Sequence, residues 1–84
     1  MVGVTLKLYA SLGSYLPGEA KRNSHETIVR DGTTIEAVLD AFGVPRESCH
    51  LVLLNGVFQK PDTRSTTVLK DGDAVAVWPP VAGG

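Results

Sequence analysis

The chain has a single cysteine, Cys49, among its 84 residues, so no internal disulfide can form and a reducing setting is expected. It lacks any apolar run near the roughly 20 residues of a membrane span. Its opening residues, Met1-Val2-Gly3-Val4-Thr5-Leu6, lack the charged and hydrophobic regions of a secretory signal. Positive charge is neither abundant nor clustered: Lys7, Lys21, Arg22, Arg30, Arg46, Lys60, Arg64 and Lys70 are scattered, and the net charge is −1. Without a basic stripe, neither a nucleic-acid partner nor a membrane surface is expected. His25 and His50 show no metal-ligand spacing, so no zinc site is expected. These absences together predict a cytoplasmic protein without a metal.

What remains has the composition of a folded domain, with 43% hydrophobic and 20% charged residues and no long charge blocks. A chain of this length forms one core. It buries only roughly 60–65% of the surface its unfolded form exposes, which suits a carrier or adaptor better than an enzyme with a deep cavity.

Hydrophobic periodicity supplies the elements. Val4, Leu6 and Leu8 alternate with Thr5, Lys7 and Tyr9, the pattern of a half-buried strand. Residues 10–23 contain Gly13, Pro17 and Gly18 and read as loop, with one helical turn expected over 11–16. Thr27, Ile28 and Val29 predict a second strand over 25–30, closed by Asp31-Gly32. Thr33 and Glu36 form a capping-box pair, and Ile35, Val38, Leu39 and Phe42 follow as one apolar stripe. Gly43 then ends the helix in a left-handed cap and Pro45 prevents its resumption. This predicts a helix over about 34–42.

Leu51-Val52-Leu53-Leu54 is apolar on both alternations, as for a strand covered on both faces or flanked by sheet partners. Asn55-Gly56 is a strong hairpin signal leading into Val57-Phe58-Gln59. Residues 60–67 are polar and read as loop. Asp71-Gly72-Asp73 marks another tight turn; its paired acids are read as turn chemistry before any carboxylate catalysis. Ala74-Val75-Ala76-Val77-Trp78 is the last strand.

The order β-β-α-β-β-β, with first and last strands central in a mixed four- to five-stranded sheet and one helix on a face, is an α+β, β-grasp, ubiquitin-like arrangement. Val75 and Val77 are expected in the core, which turns Ala76 and Trp78 to the opposite face. Trp78 there is a candidate partner anchor, with intramolecular cover by the 10–23 loop as the alternative. Phe58 is expected to extend the same patch.

After Trp78 the sequence reads Pro79-Pro80-Val81-Ala82-Gly83-Gly84. Two prolines cannot extend a hydrogen-bonded ladder, so the chain leaves the sheet there. The expected division is a domain over 1–80 and a flexible tail over 81–84. Glycine has no Cβ, so a terminal glycine carboxylate can enter a narrow channel in another protein; a frayed end is the alternative.

The run from Lys70 to Gly84, with Leu54-Asn55-Gly56 and Leu6-Lys7-Leu8-Tyr9-Ala10-Ser11-Leu12, resembles the MoaD/ThiS ubiquitin-like sulfur carriers. The Pro-Pro-Val-Ala-Gly-Gly ending looks more like the molybdopterin-synthase small subunit than the thiazole branch. The 44–50 segment is shorter, and the 10–23 segment longer, than in that branch. The resemblance implies that Gly84 is adenylated and then thiolated, with Gly83 as spacer. Pro80, Val81 and Ala82 are expected to contact partners beside Trp78 and Phe58. It further implies an E1-like adenylating enzyme that consumes ATP, and a sulfur-accepting synthase large subunit. The chain itself would hold no cofactor and no complete active site. A ubiquitin-like modifier forming isopeptide bonds and a noncovalent docking module are the competing functions. Cys49 is read as a small hydrophobe before any persulfide relay.

Overall fold

A computed structural model describes residues 1–18 and 22–80. Five strands form one sheet: β1 (Val2–Leu8), β2 (Ser24–Val29), β3 (Leu51–Leu54), β4 (Val57–Phe58) and β5 (Ala74–Trp78), in the order β2-β1-β5-β3-β4. β1 pairs antiparallel with β2 and parallel with β5, so the chain's first and last strands lie side by side at the centre. β3 runs antiparallel to both β5 and β4. The expected five-stranded mixed sheet and its central pair are present, and the protein has a β-grasp fold.

The period-2 pattern of β1 and β5 sets the core. Val4, Leu6, Leu8, Val75 and Val77 point to one face and are buried, together with Val52 of β3. Helix α1 (Ile35–Ala41) lays Ile35, Val38 and Leu39 on that face, and Phe42 packs partly buried behind them. Burying each large aliphatic side chain contributes about 1.5–3 kcal/mol. A 3₁₀ turn over Ala10–Tyr15 adds Leu12, as expected for the 10–23 segment, and Leu16 follows it into the core.

The helix start differs from expectation. Thr34, not Thr33, is the N-cap, and its Oγ1 accepts a 3.1 Å hydrogen bond from the Ala37 amide. Thr33 is held in a distant pairing: its carbonyl accepts from the Leu69 amide at 2.8 Å, and Thr34 bridges Val68. That pairing keeps Thr33 extended and moves the helix on by one residue. Glu36 therefore sits too early for a capping box, and its carboxylate pairs instead with Arg46 at 3.2 Å.

The far end of the helix follows expectation. Gly43 has φ +78°, its amide bonds to the Asp40 carbonyl, and the Val44 amide returns to Leu39. This is the paired hydrogen-bond pattern of a Schellman cap. Asn55 and Gly56, at φ 51° and 85°, make the β3–β4 turn with both central residues left-handed.

One further expectation is corrected, and one is narrowed to one of its two alternatives. The 60–67 stretch is not all loop, because Pro61–Arg64 forms a short helix, α2, with Pro61 at its first turn. Its four residues are too few to show periodicity, and it is held by the buried Arg64 side chain. Leu51–Leu54 is flanked by sheet partners on both sides but not covered on both faces: Val52 is fully buried, whereas Leu51 is 36% exposed.

Candidate functional site

The register of the sheet defines its open face, opposite α1. The outward alternation places Lys7 of β1 beside Ala76 of β5, Ala76 opposite Leu53 of β3, and Leu53 opposite Phe58 of β4. One step along, Leu51 lies opposite Trp78, and Tyr9 follows the Leu8–Val77 pair on β1. The result is an apolar surface running from Tyr9 and Trp78 across Leu51 and Leu53 to Phe58. Phe58 is 53% exposed and lies on the same face as Trp78, as the sequence suggested.

Trp78 is the last residue of β5, and three contacts hold this end of the strand. The His50 amide donates to its carbonyl at 3.0 Å, and the Tyr9 amide donates to the carbonyl of Val77 at 3.0 Å. The indole stacks on the Tyr9 ring, with centroids 4.3 Å apart and planes 7° from parallel. An offset aromatic pair of this kind contributes about 0.5–1.5 kcal/mol beyond its buried area. The contact made to Trp78 thus comes from Tyr9, at the end of β1, and both rings stay partly exposed. Pro79 and Pro80 follow; Val81, Ala82, Gly83 and Gly84 lie outside the described residues.

The other candidates separate by environment. Cys49 is buried, and its thiol lies 3.5 Å from the Pro45 carbonyl. Burial pushes its pKa up, with the nearby Arg64 charge acting in the opposite direction. A thiol held protonated this way is a poor nucleophile. It lines a cavity of 190 Å³ beside α1, with Leu39, Val44 and Pro61. His25 sits edge-on to Phe42, with ring centroids 6.0 Å apart, whereas His50 is exposed.

Asp71 and Asp73 serve the turn. Asp71 accepts from the Gly3 amide at 2.7 Å, and Asp73 accepts from the Lys70 amide at 2.7 Å and from Asn55 Nδ2 at 2.9 Å. The Asn55 side-chain carbonyl in turn accepts from the Ala74 amide at 2.8 Å, tying the hairpin to the start of β5.

Two residues escaped the sequence reading. Arg64 is 7% exposed, and its guanidinium donates to the carbonyls of Cys49 at 2.8 Å and Gln59 at 3.1 Å. Nothing in a lone arginine within a polar stretch signals burial. Tyr9 was visible only as an outward residue of β1; the parallel β1–β5 register is what sets it against Trp78. Among the described residues no helix is long and apolar enough to cross a membrane.

A small mixed sheet with one packed helix, an apolar open face and a proline-flanked last strand defines a ubiquitin-like protein. The family model described as Mut7-C ubiquitin matches residues 1–83, and the chain belongs to that family. The solution structure of the Haloferax volcanii HVO 2177 protein is similar, with TM-score 0.76 and 29% identity over 99% of this chain and 87% of that one. A putative molybdopterin converting factor, subunit 1, from Pyrococcus furiosus has TM-score 0.69 and 20% identity, covering 96% of this chain and 100% of that one. Small archaeal modifier protein 1 of Haloferax volcanii has TM-score 0.69 and 24% identity with the same coverage. No curated protein matches the sequence.

Proposed function

We propose that the chain is a sulfur carrier of the molybdopterin or tungstopterin type, with Gly84 as its reacting C-terminal residue. The observation that carries this reading is the join between a firmly held strand end at Trp78 and the sequence Pro79-Pro80-Val81-Ala82-Gly83-Gly84. A carboxylate resists attack because the addition builds further negative charge on it. In the proposed reaction the Gly84 carboxylate oxygen attacks the α-phosphorus of ATP on an E1-like adenylating enzyme, and pyrophosphate leaves. Hydrosulfide from a sulfur donor then attacks the acyl carbon, AMP leaves and a proton is lost, giving a thiocarboxylate. A synthase large subunit or an equivalent acceptor takes the sulfur. The carrier contributes reach and orientation, and its partners contribute electrostatic stabilisation.

The apolar face from Trp78 to Phe58 supports a protein partner, since exposed aromatic and aliphatic residues in one patch mark interaction surfaces. The single cysteine and the dependence on ATP fit a cytoplasmic setting. The testing experiment is intact-mass analysis of the protein isolated from its source. Replacement of one terminal oxygen by sulfur is expected. A chain continuing beyond Gly84, or never sulfurated during cofactor synthesis, rules the reading out.

A second reading has its own support in the likeness to small archaeal modifier protein 1. In it the same activated carboxyl is attacked by a lysine amine and forms an isopeptide bond. A ladder of heavier conjugates that disappears on deletion of Gly83-Gly84 identifies that outcome.

A further inference from the structure

We infer that Tyr9 is a positioning residue for the C-terminal segment, acting through Trp78 to set the direction in which Pro79 and Pro80 leave the sheet. This rests on the proposed role of Gly84.

The strand end is constrained twice by backbone, from Tyr9 on the β1 side and from His50 on the β3 side. These bonds hold residues 77 and 78 in the ladder, and the strand ends at Trp78. The Tyr9–Trp78 stack, at 4.3 Å and 7°, fixes the ring of that last residue on the open face. It is not part of the buried core, since both rings remain partly exposed on the open face.

The backbone beside it is also unusual. Ala10, directly after Tyr9, has φ 52°, a left-handed conformation unfavourable for a residue with a Cβ. The chain turns sharply there into the 3₁₀ turn, where the Leu12 amide bonds back to the Tyr9 carbonyl at 3.1 Å. Strain of this kind persists where surrounding contacts hold it, and here it adjoins the ring that meets Trp78.

Orientation matters because two prolines follow the strand directly. Prolines 79 and 80 have fixed φ and pass on the direction of the strand end. A change of direction at these prolines changes where the reacting end starts from, and misplacement lowers the fraction of encounters in which a carboxylate meets its reaction partner.

The test is carrier-dependent ATP–pyrophosphate exchange by an E1-like adenylating enzyme from the source organism, comparing the full chain with Tyr9→Phe, Tyr9→Ala and Tyr9→Leu. Phenylalanine preserves a stacked ring and should match the wild type. Alanine and leucine should lower kcat about threefold to tenfold with KM unchanged. Leucine keeps apolar cover, so it still reports if the alanine variant folds poorly. A raised KM at unchanged kcat overturns the inference, because Tyr9 is then a docking contact. Wild-type kinetics in both variants also overturn it while leaving the role of Gly84 intact. No exchange with the wild-type chain overturns that role, and this inference with it.

Discussion

Arg64 Nη1 donates a 2.8 Å hydrogen bond to the Cys49 carbonyl, joining α2 to the segment that leads into β3. The same guanidinium reaches Gln59 through Nε at 3.1 Å, so one buried cation ties down both ends of the β3–β4 hairpin. No carboxylate pairs with it among the described residues; carbonyl dipoles hold its charge. Hydrogen bonds from charged groups contribute about 1.5–3 kcal/mol each. Arg64→Ala leaves the carbonyls of Cys49, Gln59 and His50 without this donor and should destabilise the fold by about 2–4 kcal/mol. Arg64→Lys should recover part of this, since an ammonium cannot reproduce the fork. Urea denaturation of the three proteins measures the differences.

The two neighbouring threonines offer a separate comparison. Thr34 Oγ1 caps α1, whereas Thr33 contributes backbone hydrogen bonds that alanine would keep. Thr34→Ala should cost about 1 kcal/mol and Thr33→Ala distinctly less. Equal losses in thermal melts would contradict the cap assignment.

Gly43 is the cleanest backbone test. A Cβ there meets nothing within 4 Å, so only φ +78° opposes a substitution. Gly43→Ala should destabilise by about 1 kcal/mol, lowering Tm by roughly 4–8 °C for a domain of this size. An unchanged melting temperature would mean that the helix end relaxes freely.

Cys49 predicts a dependence on alkaline pH. Burial raises its pKa in the folded state, so between the unfolded and folded values the folded chain binds the proton more tightly. Stability from this group is therefore complete below the unfolded value and falls as pH rises from about 8.5. Cys49→Ser or Cys49→Ala should flatten that part of the stability–pH curve. Alkylation of the native thiol near neutral pH should be slow and should accelerate on addition of urea.

Removing Gly83-Gly84 should abolish sulfur transfer while leaving the melting temperature unchanged, because the core residues of the sheet end at Val77. Thermal melts and intact-mass measurements on the truncated chain check the two halves together. Retained sulfur-dependent function would remove the basis of the carrier reading.

Much of the architecture was readable locally. Alternation in β1 and β5, the apolar stripe of α1, the left-handed Gly43 and the Asn55-Gly56 turn depend on neighbours within a few positions. Thr33 and Arg64 were misread or missed for one reason: their partners, Leu69 for the first and Cys49 for the second, come from other segments. No period or motif announces such a partner.

The candidate site divides along the same line. Local steric and hydrogen-bonding rules let the order of residues determine which segments form strands, where the helix stops, and that the prolines end β5. Tyr9 and Trp78 come from opposite ends of the chain, and only the parallel pairing of β1 with β5 sets their rings face to face. That pairing is decided by burial of Leu6, Leu8, Val75 and Val77 in one core, because excluding water from a shared apolar face is a property of the assembled sheet and of no single segment.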